Sequence, residues 1–301
     1  MKLERVDNTH GVPSEHHHQE NEPMHHHEHH KRKESGPYLI EAHELVLEYE
    51  RTMEEGKLIA LRDFSLNIRA GEFVTIVGPS GCGKSTFLNI VAGLNRPISG
   101  TIKVNGEPVR GPGNDRAMVF QEYGLLPWRT VQKNVEFGLE MRGKLDREAR
   151  ERVRHYIHLV GLDGFEHAYP RELSGGMRQR AGLARALAIE PRILLMDEPF
   201  AAVDLITREI MQGELSRIIA ETSRTVIFVT HSVDEALILG DRLAIMTGRP
   251  GRIKTIISVD LPRPRSERGL RSSSEYISLR EQIWQELSTE AMQAAKQDAD
   301  R

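Results

Sequence analysis

The chain has 301 residues, of which 39% are hydrophobic, and its formal net charge at pH 7 is -3. Its length is enough to bury a full core, and a single α/β domain with tails accounts for it. The near-neutral charge, with no broad basic stripe, argues against a nucleic-acid partner. One cysteine excludes an internal disulfide. No apolar run suits a membrane-spanning helix or a secretory signal, which favours a cytosolic enzyme.

The first 37 residues are polar and poor in aromatic side chains, which predicts a disordered tail. Histidines cluster at 16–18, 25–27 and 29–30, with acidic residues between the runs. Such tracts can bind Zn²⁺, Ni²⁺ or Cu²⁺ through neutral imidazoles, usually weakly and unselectively. Physiological metal sensing or buffering is one interpretation, and an expression tag is the other.

A phosphate-binding loop is predicted at residues 78–86, GPSGCGKST. The apolar run Phe73–Val77 predicts a buried strand before it, and residues 85–92 predict a helix directly after it. Glycines let successive backbone N–H groups converge on phosphate oxygens, next to the positive end of the helix. The residues expected to contact the nucleotide are Gly78, Pro79, Ser80, Gly81, Cys82, Gly83, Lys84, Ser85 and Thr86.

Two residue types in this loop indicate nucleotide phosphate chemistry. Lys84 supplies a mobile positive charge for the terminal phosphates, and the Ser85 hydroxyl suits Mg²⁺. Cys82 lies near a helix start, which can lower a thiol pKa. Its alkylation would then block ATP binding, although a small filler engaged only through its backbone is the more ordinary role.

A second site is predicted where the apolar strand Ile193–Met196 ends in Asp197 and Glu198. Pro199 blocks continuation of the strand, so both carboxylates emerge at the carboxyl edge, where open α/β sheets bind ligands. Asp197 would hold Mg²⁺ and Glu198 would polarise the attacking water. Two solvated acids at the end of a strand are the alternative.

The last 41 residues are predicted to form a linker and a helix. Residues 261–265, LPRPR, suit a stiff basic linker, and Ser272 with Glu275 matches a capping box. The helix carries an apolar stripe, which more often packs on the parent domain than recruits a partner. We therefore expect a docked helix, with regulation as the alternative; the stripe comprises Ile277, Ile283, Trp284 and Leu287.

The chain resembles the ATP-binding subunit of an ABC transporter from about residue 41 to 257. Besides the phosphate loop, LSGGMRQR at 173–180 is similar to the family signature, LLMDEP to its Mg²⁺ and water strand, Gln121 to its Q-loop and His231 to its switch histidine. By itself His231, after a strand at 225–230, would be structural, as we expect for His43, His155, His158 and His167.

The fold implied by this resemblance is α/β, a P-loop NTPase (RecA-like) ABC cassette at residues 38–260, with an antiparallel β subdomain and an inserted α-helical subdomain at about 123–190. Residues 111–140 are similar to the branch that serves nitrate, sulfonate and taurine importers. The cofactors implied are ATP and Mg²⁺.

The family also implies a head-to-tail dimer of cassettes. Ser174, Gly175 and Gly176 would contact the γ-phosphate held by the partner's Lys84. Gln121 would sense Mg²⁺ and the attacking water, and His231 the γ-phosphate. Asp204 would couple the two sites, and Tyr49 would stack on adenine. The chain departs from the family at residues 201–204, which read AAVD where the family commonly has SALD. The first hydroxyl is lost and the aspartate remains, so catalysis is still expected.

The resemblance implies further partners at the cytoplasmic face of a membrane, to which the cassette would attach peripherally. These are transmembrane permease subunits and a solute-binding protein. Leu125, Leu126, Pro127 and Trp128 are candidates for the permease contact, with local core packing as the alternative. Importers of other solutes, including metals, share the same motifs. A soluble mechanical ATPase is less favoured, since no long coiled-coil insertion or second cassette is present, and a P-loop kinase would not use LSGGMRQR.

Overall fold

The computed structural model describes residues 37–50, 56–121, 124–265 and 269–299. The predicted His-rich tail lies outside these residues except for Pro37, as does position 123 at the start of the predicted helical subdomain. The described chain forms ten strands and seven α-helices. Within these ranges, no helix is both long and apolar enough to cross a membrane.

A four-stranded antiparallel sheet covers the beginning of the domain, in the order β2-β1-β4-β5. Its strands are β1 (Tyr38–Glu50), β2 (Lys57–Arg69), β4 (Ser99–Val104) and β5 (Glu107–Pro108). In β2 the residues from Phe64 to Ile68 alternate between buried and less buried positions. This period of two is typical of a sheet with one face on the core.

The central six-stranded sheet has the order β10-β9-β3-β8-β7-β6. Its strands are β3 (Phe73–Val77), β6 (Arg116–Val119), β7 (Ile193–Asp197), β8 (Thr225–Val229), β9 (Arg242–Met246) and β10 (Ile253–Ser258). All pairs are parallel except β10 with β9. Every residue of β3, β7 and β8 is buried, as expected for parallel strands covered on both faces. The sequence-based predictions of these three strands are confirmed to within one residue.

The two faces of the central sheet carry different helices. Helix α1 (Lys84–Ala92) shares a hydrophobic cluster with the antiparallel sheet and with Ile193 and Leu195 of β7. Helix α4 (Gly175–Ala188) shares another cluster with Leu194 and Met196 of the same strand. Because side chains alternate along a strand, α1 and α4 lie on opposite faces of the sheet.

A helical region lies between β6 and β7. It contains α2 (Val131–Met141), α3 (Arg147–Leu159), a 3-10 turn at Pro170–Glu172 and α4. Side chains of Thr130 and Asp146 accept backbone N–H bonds at the starts of α2 and α3, the usual N-cap arrangement. The parallel central sheet, the antiparallel sheet and the inserted helices agree with the α/β architecture predicted from the sequence.

The carboxyl-terminal half of the domain contributes α5 (Leu205–Thr222) and α6 (Val233–Leu239). After a 3-10 turn at Leu270–Ser272, α7 (Ser274–Ala299) packs on α6 and β9. The predicted cap is wrong by one residue, because the Ser273 hydroxyl, not Ser272, accepts the N–H of Tyr276 (3.2 Å).

The predicted stripe on α7 divides between two faces. Ile283 is fully buried and Leu287 packs against the same cluster, so the helix is docked. Ile277 and Trp284 are 54% and 59% exposed and point away from it. Tyr276, which the stripe omitted, is buried and donates to Asp234 Oδ1 (2.7 Å).

The predicted linker is also packed on the domain rather than free. Arg265 is 2% exposed, and its guanidinium donates to the carbonyls of Leu237, Gly240, Val259 and Leu261. Arg263 bonds Asp241 Oδ1 (2.7 Å). Four carbonyl acceptors satisfy the buried guanidinium of Arg265. The sequence pattern alone does not distinguish such a buried arginine from a solvated one.

Candidate functional site: a phosphate loop beside a Glu–His pair

The phosphate loop joins β3 to α1 at the carboxyl end of a central strand. Gly83 has φ 101° and Gly81 φ 70°, in the left-handed region that side chains disfavour. Lys84 is 5% exposed, and its Nζ donates to the carbonyls of Gly78 (3.0 Å) and Pro79 (2.9 Å). The loop therefore curls around its own lysine and leaves the start of α1 free for an anion.

Cys82 has a raised pKa, opposite to the expectation from its place near a helix start. Burial is the main cause, and the nearby Lys84 charge only partly offsets it. The thiol is 1% exposed. Desolvation of the thiolate thus outweighs the local positive charge, and the side chain fills space behind the loop.

Asp197 ends β7 and is buried. Burial raises the pKa of its carboxyl, while a hydrogen bond from Ser85 and the charges of Lys84 and His231 oppose the shift. Its Oδ1 is buried and has no hydrogen-bond partner among the residues described. A buried oxygen without a partner, next to a serine hydroxyl, is the donor set that a hard cation takes.

Glu198 and His231 form a close pair at the same sheet edge. His231 Nε2 lies 2.6 Å from Glu198 Oε1, and the two side chains are 46% and 16% exposed. Glu198 has φ 49°, an uncommon conformation for a residue other than glycine. Its backbone N–H donates to the carbonyl of Val229 (3.0 Å), which fixes this turn to the end of β8.

Two other predicted residues lie at the margins of this edge. Gln121 is exposed two residues after β6, which pairs in parallel with β7. Tyr49 is 40% exposed near the end of β1; its hydroxyl accepts from Asn95 Nδ2 (2.7 Å) and lies 3.3 Å from Thr86 Oγ1. The Tyr49 hydroxyl is therefore held near the first turn of α1, and the role of the ring toward adenine stays a prediction.

The signature residues form the start of α4. The Ser174 hydroxyl caps the helix by accepting the N–H of Met177 (3.2 Å), and Ser174 is exposed. Gly176 lies against the Ala202 carbonyl, 3.2 Å from where a Cβ would be. Since α4 and α1 pack on opposite faces of the sheet, one chain does not offer both helix starts to a phosphate from the same side.

Asp204 is exposed and caps α5 by accepting the N–H of Thr207 (3.0 Å), which lowers the pKa of its carboxyl. In the preceding AAVD segment Ala201 and Ala202 are exposed and Val203 is buried. The segment thus presents small side chains and one carboxylate at the surface.

The predicted permease contact residues separate into two groups. Leu125 packs partly against the core, whereas Trp128 is 71% exposed. Asn134 in α2 holds the intervening turn, because its amide bonds the N–H and carbonyl of Leu126 and the carbonyl of Arg129.

Sequence reasoning missed three side chains that hold the site. Gln179 Nε2 donates to the Glu198 carbonyl (2.9 Å), and its Oε1 accepts the N–H of Ala202 (3.1 Å). Arg249 Nε donates to the Gly81 carbonyl (3.1 Å). Glu235 is buried and bonds Thr230 and Ser232, the two neighbours of His231 in the chain. Gln179 lies within LSGGMRQR and Glu235 lies within FVTHSVDEA, the segment that contains His231, so both positions carried a signal, but the sequence contains none for Arg249.

The phosphate loop, the buried Asp197 oxygen without a hydrogen-bond partner among the described residues and the Glu198–His231 pair lie together at one sheet edge, the arrangement expected of a P-loop protein. Residues 61–201 match the family model described as ABC transporter. An uncharacterised ABC transporter ATP-binding protein of Methanocaldococcus jannaschii is 52% identical over 237 residues, which cover 79% of this chain and 87% of that protein. An aliphatic sulfonates import ATP-binding protein of Bacillus licheniformis is 46% identical over 233 residues, 77% of this chain and 89% of its own length.

The comparison with solved structures confirms the ABC cassette fold that was predicted from the sequence. A solved dimeric ATP-binding cassette in a post-hydrolysis state, bound to ADP and phosphate, has a TM-score of 0.67 and 33% identity, and covers 73% of this chain and 98% of that one. The chain belongs to the ABC transporter family and is an ATP-binding cassette with ATPase activity.

Proposed function

We propose that this chain is the energy-coupling ATPase of a membrane importer for a small anion of the nitrate, sulfonate or taurine type. The relative named for aliphatic sulfonate import supports the solute class, as does the similarity of residues 111–140 to that branch. The ATPase chemistry rests mainly on one observation, the 2.6 Å Glu198–His231 pair beside Asp197 and the phosphate loop.

Lys84 and the backbone N–H groups at the start of α1 bind and orient the terminal phosphates of ATP. An ionised Glu198 carboxylate only accepts hydrogen bonds, so His231 Nε2 donates to it. Glu198 orients the attacking water and takes its proton as the water oxygen bonds to the γ-phosphorus. The bond to ADP breaks, and the products are ADP and phosphate.

Mg²⁺ fits the oxygen donors beside the loop. Asp197 Oδ1, which is buried without a hydrogen-bond partner among the described residues, and the Ser85 hydroxyl would hold it, with Gln121 at the margin. When bound, the ion neutralises charge on the phosphate oxygens.

We infer that hydrolysis requires a second cassette. The two helix starts that would surround one phosphate, at Lys84 and Ser174, lie on opposite faces of the sheet. A partner's Ser174, Gly175 and Gly176 would complete the site, and the two Asp204 loops would meet between the chains. The dimeric relative supports this arrangement.

The cassette attaches peripherally to permease subunits at the cytoplasmic face of a membrane, with a separate solute-binding protein on the other side. Exposed Trp128, on a turn fixed by Asn134, is the proposed permease anchor. Copurification of a polytopic membrane protein in a native pull-down supports this; its absence there argues for a soluble mechanical ATPase.

The catalytic assignment is tested with Glu198→Gln. We expect ATP binding to be retained and turnover to fall by about a hundredfold or more, since a general base contributes about 10²–10⁴-fold. Glu221→Gln is the control, because Glu221 is an exposed glutamate paired with Arg217 on α5. Turnover by Glu198→Gln equal to that of the control refutes the assignment.

A further inference from the structure

Glu235 is a buried carboxylate that the proposed chemistry does not use. It is 6% exposed in the first turn of α6. Two side chains of α5 and one from the turn after β8 face it. The Thr230 hydroxyl donates to Oε2, Gln212 Nε2 donates to Oε1 (3.3 Å), and Arg208 Nε lies 3.9 Å from Oε1. Burying a carboxylate is costly, so its partners indicate what it holds in place.

On one side, Glu235 fixes the turn that carries His231. Thr230 Oγ1, bonded to Glu235, also accepts the N–H of Ser232 (3.0 Å). The Ser232 hydroxyl in turn accepts the N–H of Glu235 (3.3 Å). The residues before and after His231 are thus both tied to this glutamate, while the His231 ring reaches Glu198.

On the other side, Glu235 faces the arginine that holds the loop ending in Asp204. Arg208 Nη2 donates to the Val203 carbonyl (2.8 Å), and its backbone N–H donates to the Asp204 carbonyl (2.8 Å). Arg208 Nε is buried and has no hydrogen-bond partner in the described part of the chain. One guanidinium therefore spans the gap between this loop and the carboxylate.

We propose that Glu235 is a positioning residue that couples the Asp204 loop to the His231 turn. The inference rests on the proposed function, in which Asp204 faces the second cassette and His231 the γ-phosphate. When a partner displaces Val203, Arg208 moves against Glu235, and Glu235 carries the shift to Thr230 and the His231 turn. Each site then responds to closure of the dimer without direct contact between Asp204 and His231.

The test compares kcat, the ATP dissociation constant and the Hill coefficient for ATP in the full chain. We expect Glu235→Ala to lower kcat by about tenfold, as expected for a residue that acts through a packed network. Its ATP affinity should stay within about twofold, since the phosphate loop is untouched. The Hill coefficient should fall toward one, because the two sites no longer respond to each other.

Two further variants separate positioning from folding. Glu235→Gln keeps an acceptor for the Thr230 hydroxyl and loses the charge that faces Arg208, so we expect most of kcat to return and the Hill coefficient to stay low. The double variant Glu235→Ala, Arg208→Ala should have a kcat no lower than that of the less active single variant, because both substitutions break the same contact. Glu221→Ala, which breaks the exposed pair with Arg217, is the matched control with unchanged kinetics.

Three results overturn the proposal. The first is that Glu235→Ala has the same kcat and the same Hill coefficient as the wild-type protein. The second is a parallel loss of ATP binding, melting temperature and kcat that Glu235→Gln does not rescue, which would make the glutamate purely structural. The third is additivity of the Glu235 and Arg208 effects. Wild-type turnover in Glu198→Gln would instead contradict the proposed ATPase site. That outcome is distinguishable from the three above in the same assay.

Discussion

Replacing Gln179 with Leu tests whether the signature helix holds the catalytic turn. Gln179 is 1% exposed and is the one side chain described here that bonds both the Glu198 carbonyl and the Ala202 N–H. Leucine has a similar volume but no polar group. Both backbone groups would then lack their partner, and Glu198 would lose one of the contacts that keep it at φ 49°.

The cost can be worked from these two bonds. An orphaned buried donor or acceptor costs about 1–3 kcal/mol. Both bonds are only partly buried, so the lower value applies to each, about 2 kcal/mol in total. For a domain of this size that corresponds to a fall of about 4–8 °C in melting temperature.

The kinetic effect should exceed the effect on stability. A displacement of about 1 Å in a catalytic group can cost about a hundredfold in rate, so we expect kcat to fall between about tenfold and a hundredfold. ATP affinity should hold, because the two bonds of the Gln179 side chain go to Glu198 and Ala202 and not to the phosphate loop. The assays are thermal unfolding, ATP titration and steady-state ATP hydrolysis.

Gln282→Leu, an exposed glutamine on α7, is the matched control and should change none of these quantities. Unchanged kcat in Gln179→Leu, with the expected loss in melting temperature, would make Gln179 purely structural. An unchanged melting temperature would refute the reasoning about the two hydrogen bonds.

Three other outcomes are expected. Iodoacetamide should label Cys82 far more slowly in the folded chain than in urea, because burial raises the thiol pKa and leaves it 1% exposed; equal rates would contradict its burial. Asp197→Asn should raise the melting temperature of the nucleotide-free protein yet abolish turnover, since its raised carboxyl pKa means that ionisation at pH 7 costs the folded state; a lower melting temperature would contradict this. Tyr276→Phe should cost about 1 kcal/mol by calorimetry, with ATPase unchanged, whereas no loss would argue against the Asp234 contact.

The sequence predicted the parts of the fold whose residues are specified locally. The strands Phe73–Val77 and Ile193–Asp197 are mostly apolar runs with glycine or proline within two residues of each end, and burial on both faces favours that pattern. The phosphate loop was equally accessible, because its glycines and lysine are adjacent in the chain.

What the sequence could not give depends on contacts between distant residues. Gln179 bonds a carbonyl 19 residues away, and Arg265 is buried by carbonyls up to 28 residues away. The Cys82 pKa shift comes from burial that local sequence does not express. Ile277 and Trp284 lie on the outer side of α7 because the docked face is set by Tyr276 and Ile283.

In the proposed dimer, Ser174 of one chain completes the ATP site of the other. Sedimentation velocity measures this dimerisation directly. The experiment compares the Glu198→Gln variant with the double variant Glu198→Gln, Ser174→Arg, each with and without Mg-ATP. We expect ATP to convert the Glu198→Gln protein from monomer to dimer. The double variant should bind ATP with similar affinity and remain monomeric. ATP-dependent dimers of the double variant, or loss of its ATP binding, would contradict a site shared between two chains.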